Sequence, residues 1–493
     1  MSLAAPTPLL RRLAICCAAV AILTTTLLAA PRPASARPFE TGISGIGDYN
    51  PLSFERTRGA GASFVRLVLN WNDVAPPVLP AAWDPTNPAD PHYNWSYIDT
   101  GVIEATRYGL QPLLIVDGAP KWAQRCTTPP GLQLTELCDP DPAALGAFAT
   151  AAARRYSGAF AGLPRVQYWQ GLNEPNLTLF FFPQLNTEGK GLSAGLYRNL
   201  INAFYAGIKS VNPANLVLAA GLGPTELKGY NIGPMRFTRE LLCMKGTTKP
   251  KPIRGQCPGG VSFDIFDIHP YSTGGPTHEG QPNDVQTGDL PKLQTLLKAA
   301  DKAGRINGAF KRTPLWITEF SWDSNPPDPG GLPMKILTQW TAEAMHQAWA
   351  AGVPKFFWYS LRDEPFRPDR PNSLTVQSGL YFRDPGNMAA DQPKEVLTTF
   401  RFPFVAFADG GGLDFWGRTP TSRPGRVQLQ AFHGGKWQKL AVVKADKVGI
   451  FKGLLRNSYG RGKKGAVRAK FEGFTSVQFP MKRVGDFHHK PFG

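Results

Sequence analysis

The chain carries little charge for its length: only 18% of its 493 residues are Asp, Glu, Lys or Arg, against 42% apolar residues. That balance excludes an intrinsically disordered chain, because there is ample apolar surface to bury. No Gly-X-Y period and no repeat at a spacing of about 20–50 residues is present, which excludes collagen-like and solenoid architectures. No Gly-x-Gly-x-x-Gly follows the first strand-like run, which counts against a dinucleotide-binding open sheet. Cysteine is scarce, six in all, and no Cys-x-x-Cys or matching His pair is spaced to hold zinc. What the chain has in excess is punctuation, 51 glycines and 47 prolines. Their share exceeds the usual roughly 12% but stays below the roughly 25–30% of low-complexity chains. A globular protein with long, turn-rich loops follows, of two or three domains at about 100–200 residues each.

The formal charge of +17 is unevenly spread. Residues 1–36 hold three arginines and no acid, and residues 401–493 hold 18 Lys/Arg against 5 Asp/Glu. The stretch between, with 33 basic and 32 acidic residues, is almost neutral. Basicity confined to the last hundred residues points to a separate module with its own partner, not to a nucleic-acid-binding chain. At the other end, Arg11-Arg12 precedes an apolar run from Leu13 to Ala30, then Pro31-Arg32-Pro33 and Ala34-Ser35-Ala36. That order reads as a secretory signal peptide, residues 1–36, whose removal leaves no transmembrane anchor. Cys16 and Cys17 leave with it. Cys126, Cys138, Cys243 and Cys257 remain, and an even count in an exported chain predicts disulfides. The local pairings, 126–138 and 243–257, each staple a Pro/Gly-rich loop and are the ones expected.

From residue 40 to about 410, short β-rich apolar runs alternate with amphipathic stretches. The strand-like runs are Gly42–Gly47, Phe64–Leu69, Leu113–Val116, Val166–Leu172, Leu216–Ala220, Ile265–His269, Leu315–Thr318 and Phe356–Ser360. Continuous rather than alternating apolar runs suit strands buried on both faces, as in a parallel sheet covered by helices. Eight such units predict an α/β fold, a (β/α)8 TIM barrel with enlarged loops over residues 37–410. After Gly410-Gly411-Gly412 the texture changes to short strands separated by Gly, Lys and Asp turns. Residues 411–493 are therefore expected to form a small all-β sandwich.

In such a barrel the reacting groups stand at the C-terminal ends of the strands. The fourth run ends in Asn173-Glu174-Pro175-Asn176 and the seventh in Thr318-Glu319-Phe320-Ser321-Trp322. Two glutamates on opposite strand ends suit glycoside hydrolysis. One carboxyl protonates the leaving oxygen while the other attacks the anomeric carbon, and a retaining reaction sets them about 5–5.5 Å apart.

Those two stretches resemble the clan A retaining glycoside hydrolases, in particular the cellulase-type and β-xylosidase-type families, over roughly residues 40–405. The resemblance implies that Glu174 is the acid/base and Glu319 the nucleophile. It further implies that Arg66 holds the nucleophile ionised, that Asn173 binds the sugar 2-hydroxyl, and that Tyr271, beside His269, supports the nucleophile. Trp358 corresponds to a tryptophan that floors the reacting sugar. Trp122 and Trp322, with Trp71 and Phe180-Phe181-Phe182, lie just beyond strand ends, where sugar rings could stack. The reaction so implied needs no metal or organic cofactor. The last domain, with Gly434-Gly435-Lys436-Trp437 and Ala445-Asp446, resembles the immunoglobulin-like β modules of exported actinobacterial proteins. Its lysine-rich turns suit an anionic cell-wall polymer.

The expectation is thus a secreted retaining glycosidase, extracellular or cell-wall associated, acting on a β-linked poly- or oligosaccharide. The alternative from another class is a non-catalytic carbohydrate- or cell-wall-binding protein on the same barrel. Retention of both glutamates with Arg66 and Tyr271 favours the enzyme. Glucan, xylan, mannan, galactan and an exopolysaccharide of the producer's own wall all stay open, as do exo and endo action.

Overall fold

The computed structural model describes residues 37–132, 137–366, 376–409, 412–456 and 465–492. The expected signal peptide lies outside the described residues. Eight parallel strands close into a barrel: β1 (Glu40–Ser44), β2 (Phe64–Asn70), β3 (Gln111–Asp117), β4 (Tyr168–Gly171), β5 (Leu216–Leu222), β6 (Ile265–Ile268), β7 (Leu315–Ile317) and β8 (Lys355–Tyr359). Each pairs with its sequence neighbour, and β8 returns to β1 in a register running from Glu40 opposite Lys355 to Ser44 opposite Tyr359. All eight predicted runs fall on these strands, so the predicted TIM barrel is the fold observed.

Helices cover the outside: α1 (Pro51–Gly59), α2 (Ser96–Arg107), α3 (Pro142–Arg155), α4 (Ser193–Val211), α5 (Pro234–Leu241), α6 (Leu290–Lys302), α7 (Met334–Ala350) and α8 (Glu395–Arg401). Local sequence starts several of them. Asn50 and Asp141 accept hydrogen bonds from the backbone N–H of Ser53 and Ala144, and Pro51 and Pro142 follow in the first turn, where a missing N–H costs nothing.

Successive strand side chains point to opposite faces, and this parity organises the lumen. Phe64, Leu113, Leu218, Ile265, Trp316 and Phe357 fill the lower barrel as one packed cluster, with Tyr168 against it. Two residues further along their strands stand Arg66, Gln170, Asp267, Thr318 and Tyr359, on the same face one layer nearer the mouth. An apolar plug thus supports a polar layer.

The C-terminal region is all β. Strands β9 (Phe404–Asp409), β10 (Gly412–Arg418) and β13 (Ile450–Leu455) form one antiparallel sheet; β11 (Gly425–His433), β12 (Lys436–Ala445), β14 (Val467–Phe471) and β15 (Phe474–Thr475) form another. β9 precedes Gly410 and pairs along its whole length with β10. These sheets share a continuous apolar core with the barrel. At the junction the Trp416 ring packs on Phe39 and Trp349, and the buried Arg418 donates to Thr41 Oγ1 and the Phe400 carbonyl. Disulfides join Cys126 to Cys138 and Cys243 to Cys257, with Cα atoms 5.3 and 6.1 Å apart, as the local pairing predicts.

Candidate active site

Glu174 leaves the end of β4 on a strained backbone. Leu172 and Glu174 are both left-handed, with φ of 66° and 39°, at a cost of about 1–2 kcal/mol each for residues with a Cβ. The segment is pinned in that shape. The Glu174 N–H donates to the Gly221 carbonyl, Asn176 exchanges hydrogen bonds with Gly223, and Gln184 donates to the Pro175 carbonyl. Of the Asn-Glu-Pro-Asn stretch, Asn176 is therefore structural. Glycine is required at position 221: its φ is +50°, and a Cβ there would lie 2.4 Å from Gln170 Nε2 and 3.3 Å from His269 Nε2.

Glu319 follows β7 directly, across the mouth from Glu174. The Arg66 guanidinium holds three side chains from two strand ends, β4 and β7: Nη1 donates to Glu319 Oε1 at 2.5 Å, Nη2 to Asn173 Oδ1 at 2.8 Å and Nε to Gln170 Oε1 at 2.8 Å. Holding Asn173 by its oxygen turns the amide NH2 outward as a donor. Tyr271 Oη donates to Glu319 Oε2 at 2.9 Å. Burial pushes the Glu319 carboxyl up, but the positive charge of His269, the Arg66 guanidinium and the Tyr271 hydroxyl together outweigh it and hold the carboxyl below the usual range. Glu174 moves the other way. Burial raises it above the usual range, and the negative charge of Glu319 adds to that against the pull of His269.

A hydrogen-bond chain extends behind Glu174. His269 Nδ1 lies 2.9 Å from Glu174 Oε1, and its Nε2 lies 3.0 Å from Thr318 Oγ1. Thr318 Oγ1 in turn meets Asp267 Oδ2 at 2.5 Å, and the Thr318 N–H donates to Asp267 Oδ1 at 3.2 Å. Counting hydrogens fixes the direction. An ionised Asp267 only accepts, so the threonine hydroxyl donates to it and accepts from Nε2–H. One further proton then lies between Nδ1 and Glu174 Oε1, on Glu174 when the imidazole is neutral and on His269 when it is charged. Burial lowers the imidazole, but the negative charges of Glu319, Glu174 and Asp267 outweigh it and raise it above its usual range. His269 Nδ1 is also 3.8 Å from Glu319 Oε2, so one imidazole nitrogen stands between both carboxyls. Those two oxygens are separated by no more than the sum of the two contacts.

Of the residues singled out in the sequence, Arg66, Asn173, Glu174, His269, Tyr271 and Glu319 meet at this point. Trp358 does not. It is one residue out of phase with the lumen, its ring packs on Phe320 and Phe400, and its Nε1 donates to the Ser378 carbonyl. The aromatic side chain of β8 that faces the lumen at this level is Tyr359, two residues beyond Phe357 and beside Gly45. Trp322 is also buried, donating to the Ser272 carbonyl and packing on Trp340. Trp71 lies stacked on Phe148. Trp122 is half-buried against Trp71 and Trp83, with its N–H on the Pro76 carbonyl. Of the phenylalanine run, Phe181 is buried, and it pairs with Leu137 so that the 126–138 disulfide loop joins this wall of the mouth.

The aromatic pair at the open mouth is Tyr49 and Tyr97, stacked with centroids 4.5 Å apart. They line a cavity of 350 Å³ that also holds Arg66, Asn70, Asp73 and Asn94. A second, of 230 Å³, lies between Asp48, Tyr359, Arg362 and Glu364. The sequence reading missed Gln170, Asp267, Thr318 and Tyr359. All four stand two residues beyond a lower-barrel side chain, and that parity was the available signal.

No protein-family model matches the sequence, and no curated protein matches it. Solved structures do. A family 39 glycoside hydrolase from the gut symbiont Bacteroides cellulosilyticus WH2 is similar at 18% identity, over 84% of this chain and 79% of that one, with a TM-score of 0.52. The GH39 enzyme from Xanthomonas axonopodis pv. citri is similar at 13% identity, over 84% and 91%, with a TM-score of 0.50. At these identities the likeness is one of fold.

Proposed function

We propose that the protein is an exported glycoside hydrolase that cleaves a β-linked poly- or oligosaccharide with net retention at the anomeric carbon. One observation carries the reading: two buried carboxyls share the barrel mouth on one imidazole nitrogen, and their surroundings shift them in opposite directions, Glu174 up and Glu319 down. This is what a paired acid and nucleophile require. The fold shared with family 39 glycoside hydrolases supports the same reading.

Glu319, ionised and aligned by Arg66 and Tyr271, attacks the anomeric carbon. The bond to the leaving oxygen breaks as Glu174 gives that oxygen its proton. The Asn173 amide donates to the 2-hydroxyl, most strongly in the oxocarbenium-like transition state. Water then enters and loses a proton to Glu174, and its oxygen displaces Glu319 from the anomeric carbon. The enzyme returns to its starting state with β configuration kept. One proton is held between His269 Nδ1 and Glu174 Oε1, and it is the proton that the leaving oxygen receives.

Two disulfides fit an oxidising destination outside the cell. The basic C-terminal sheet, where Arg468 lies over the Trp437 ring at 4.1 Å, offers a cationic face for an anionic wall polymer. The test is a panel of aryl β-glycosides and polysaccharides with the wild type, Glu319→Ala and Glu174→Ala. Turnover by the wild type and its loss in Glu319→Ala support the reading. Sugar binding without turnover by the wild type would move the chain to the binding-protein class.

A further inference from the structure

Residues 480–492 leave the C-terminal sheets and run back across the barrel. The Met481 carbonyl accepts from the Ala408 N–H, and Arg483 pairs with Glu343 on α7 at 3.0 Å. Asp486 is then caught twice, accepting from the Gly275 N–H at 2.6 Å and meeting His278 Nδ1 at 2.8 Å. The Phe487 ring packs on Trp340 with centroids 4.8 Å apart. Beyond it the His489 N–H donates to the Thr273 carbonyl, and the Asp323 N–H donates to the Pro491 carbonyl, each at 2.7 Å. Phe492 ends this path edge-on to the Tyr271 ring, 4.8 Å between centroids. Tyr271 is the residue whose hydroxyl rests on Glu319.

This path lies over the loops that follow β6 and β7. The two cavities at the mouth lie elsewhere, along the ends of β8, β1 and β2. Among the described residues the mouth is therefore open on one side and strapped on the other. Backbone hydrogen bonds at three points, a carboxylate latch and two aromatic contacts fix the strap far more firmly than a surface tail needs, and Phe492 stands one ring away from the nucleophile.

We propose that residues 485–492 form a wall of the substrate cleft, with Phe492 as its inner face, and that this wall makes the enzyme end-acting. This rests on the glycosidase reading above. A polysaccharide can lie along the β8–β1–β2 side of the mouth but cannot continue past Phe492, so only a chain end reaches Glu319 from that side. The C-terminal region then serves the active site directly, besides any binding of its own.

Three variants test this: a chain ending at Val484, Phe492→Ala, and Asp486→Ala, which frees the latch without touching the barrel. Each is compared with the wild type on borohydride-reduced xylo- and cello-hexaose and on soluble xylan and carboxymethyl cellulose. Product sizes and viscosity are followed together. The wild type should release short products with little early loss of viscosity. The variants should cut internally, with viscosity falling at least about tenfold faster per bond broken, equivalent to about 1.4 kcal/mol of barrier for internal sites. An unchanged product profile in all three variants overturns the proposal and leaves the glycosidase reading intact. Folded variants inactive on every substrate, including aryl glycosides, overturn it too, because the segment would then support catalysis rather than bound the cleft. A wild type that turns over no glycoside fails the underlying reading instead.

Discussion

Asp267→Asn exchanges one buried oxygen for a nitrogen and changes almost no volume, yet it should reverse a chain of three hydrogen bonds. The Thr318 N–H, 3.2 Å from Oδ1, needs an acceptor and so fixes the new amide with its oxygen on that side. The amide nitrogen then faces Thr318 Oγ1 and donates to it. The threonine hydroxyl turns to donate to His269 Nε2, and the neutral imidazole must carry its proton on Nδ1. That N–H points at Glu174 Oε1 and stabilises the carboxylate, the wrong form for an acid. The loss should approach what general acid catalysis contributes, about 10²–10⁴-fold in rate. It should depend on the leaving group: kcat/KM on methyl or alkyl β-glycosides should fall by about that factor, while dinitrophenyl glycosides, which leave unassisted, should react nearly as in the wild type. Thermal stability should change little, because the hydrogen-bond count is kept. Initial rates across a leaving-group series, with a melting curve for each protein, make the assay. Equal losses for good and poor leaving groups, or wild-type rates throughout, would refute the relay.

The wild-type pH profile of kcat/KM should be bell-shaped and wide. Its acid limb, where Glu319 must lose a proton to attack, should lie below the usual carboxylate range. Its alkaline limb, where Glu174 loses the proton it must donate, should lie above that range, and it should vanish with dinitrophenyl substrates. Gly221→Ala should lower the melting temperature and abolish turnover together, since the left-handed turn costs about 1–2 kcal/mol for a residue with a Cβ and the crowded Gln170 amide about 1–3 kcal/mol more. A well-folded, active Gly221→Ala would contradict the packing described. Tyr359→Phe and Trp358→Phe should separate cleanly: the first should alter kinetic constants, and the second should shift only the melting temperature. The reverse pattern would overturn the assigned strand parity.

Much of this was readable in the chain because parallel barrel strands are buried on both faces and announce themselves as unbroken apolar runs. Glu174 and Glu319 were visible because two carboxyls at the ends of such runs suit paired acid and nucleophile chemistry; Arg66, Asn173, His269 and Tyr271 were singled out through the resemblance to the clan A glycoside hydrolases. Trp358 misled because a short run fixes a strand but not which of two adjacent aromatics faces inward; that choice is set by the register of β8 against β1. Trp71 and Trp322 look alike as sugar platforms until packing shows them covered. Asp267 and Thr318 looked like ordinary strand residues, because their role depends on contacts across three strands. The strap was hidden for a different reason: several of its contacts join residues more than two hundred positions apart, and nothing local to His488 or Phe492 points toward Tyr271.

The central claim is that Glu319 forms a covalent bond to the sugar. Incubating the enzyme with a 2,4-dinitrophenyl 2-deoxy-2-fluoro-β-glycoside of the sugar it turns over should trap that species, because fluorine slows both steps and the leaving group rescues only the first. Intact mass should rise by one fluoroglycosyl unit, and peptide mapping should place it on Glu319, with Glu319→Ala unlabelled. A label on Glu174, or turnover of the natural substrate to an inverted product with no label at all, would contradict the account.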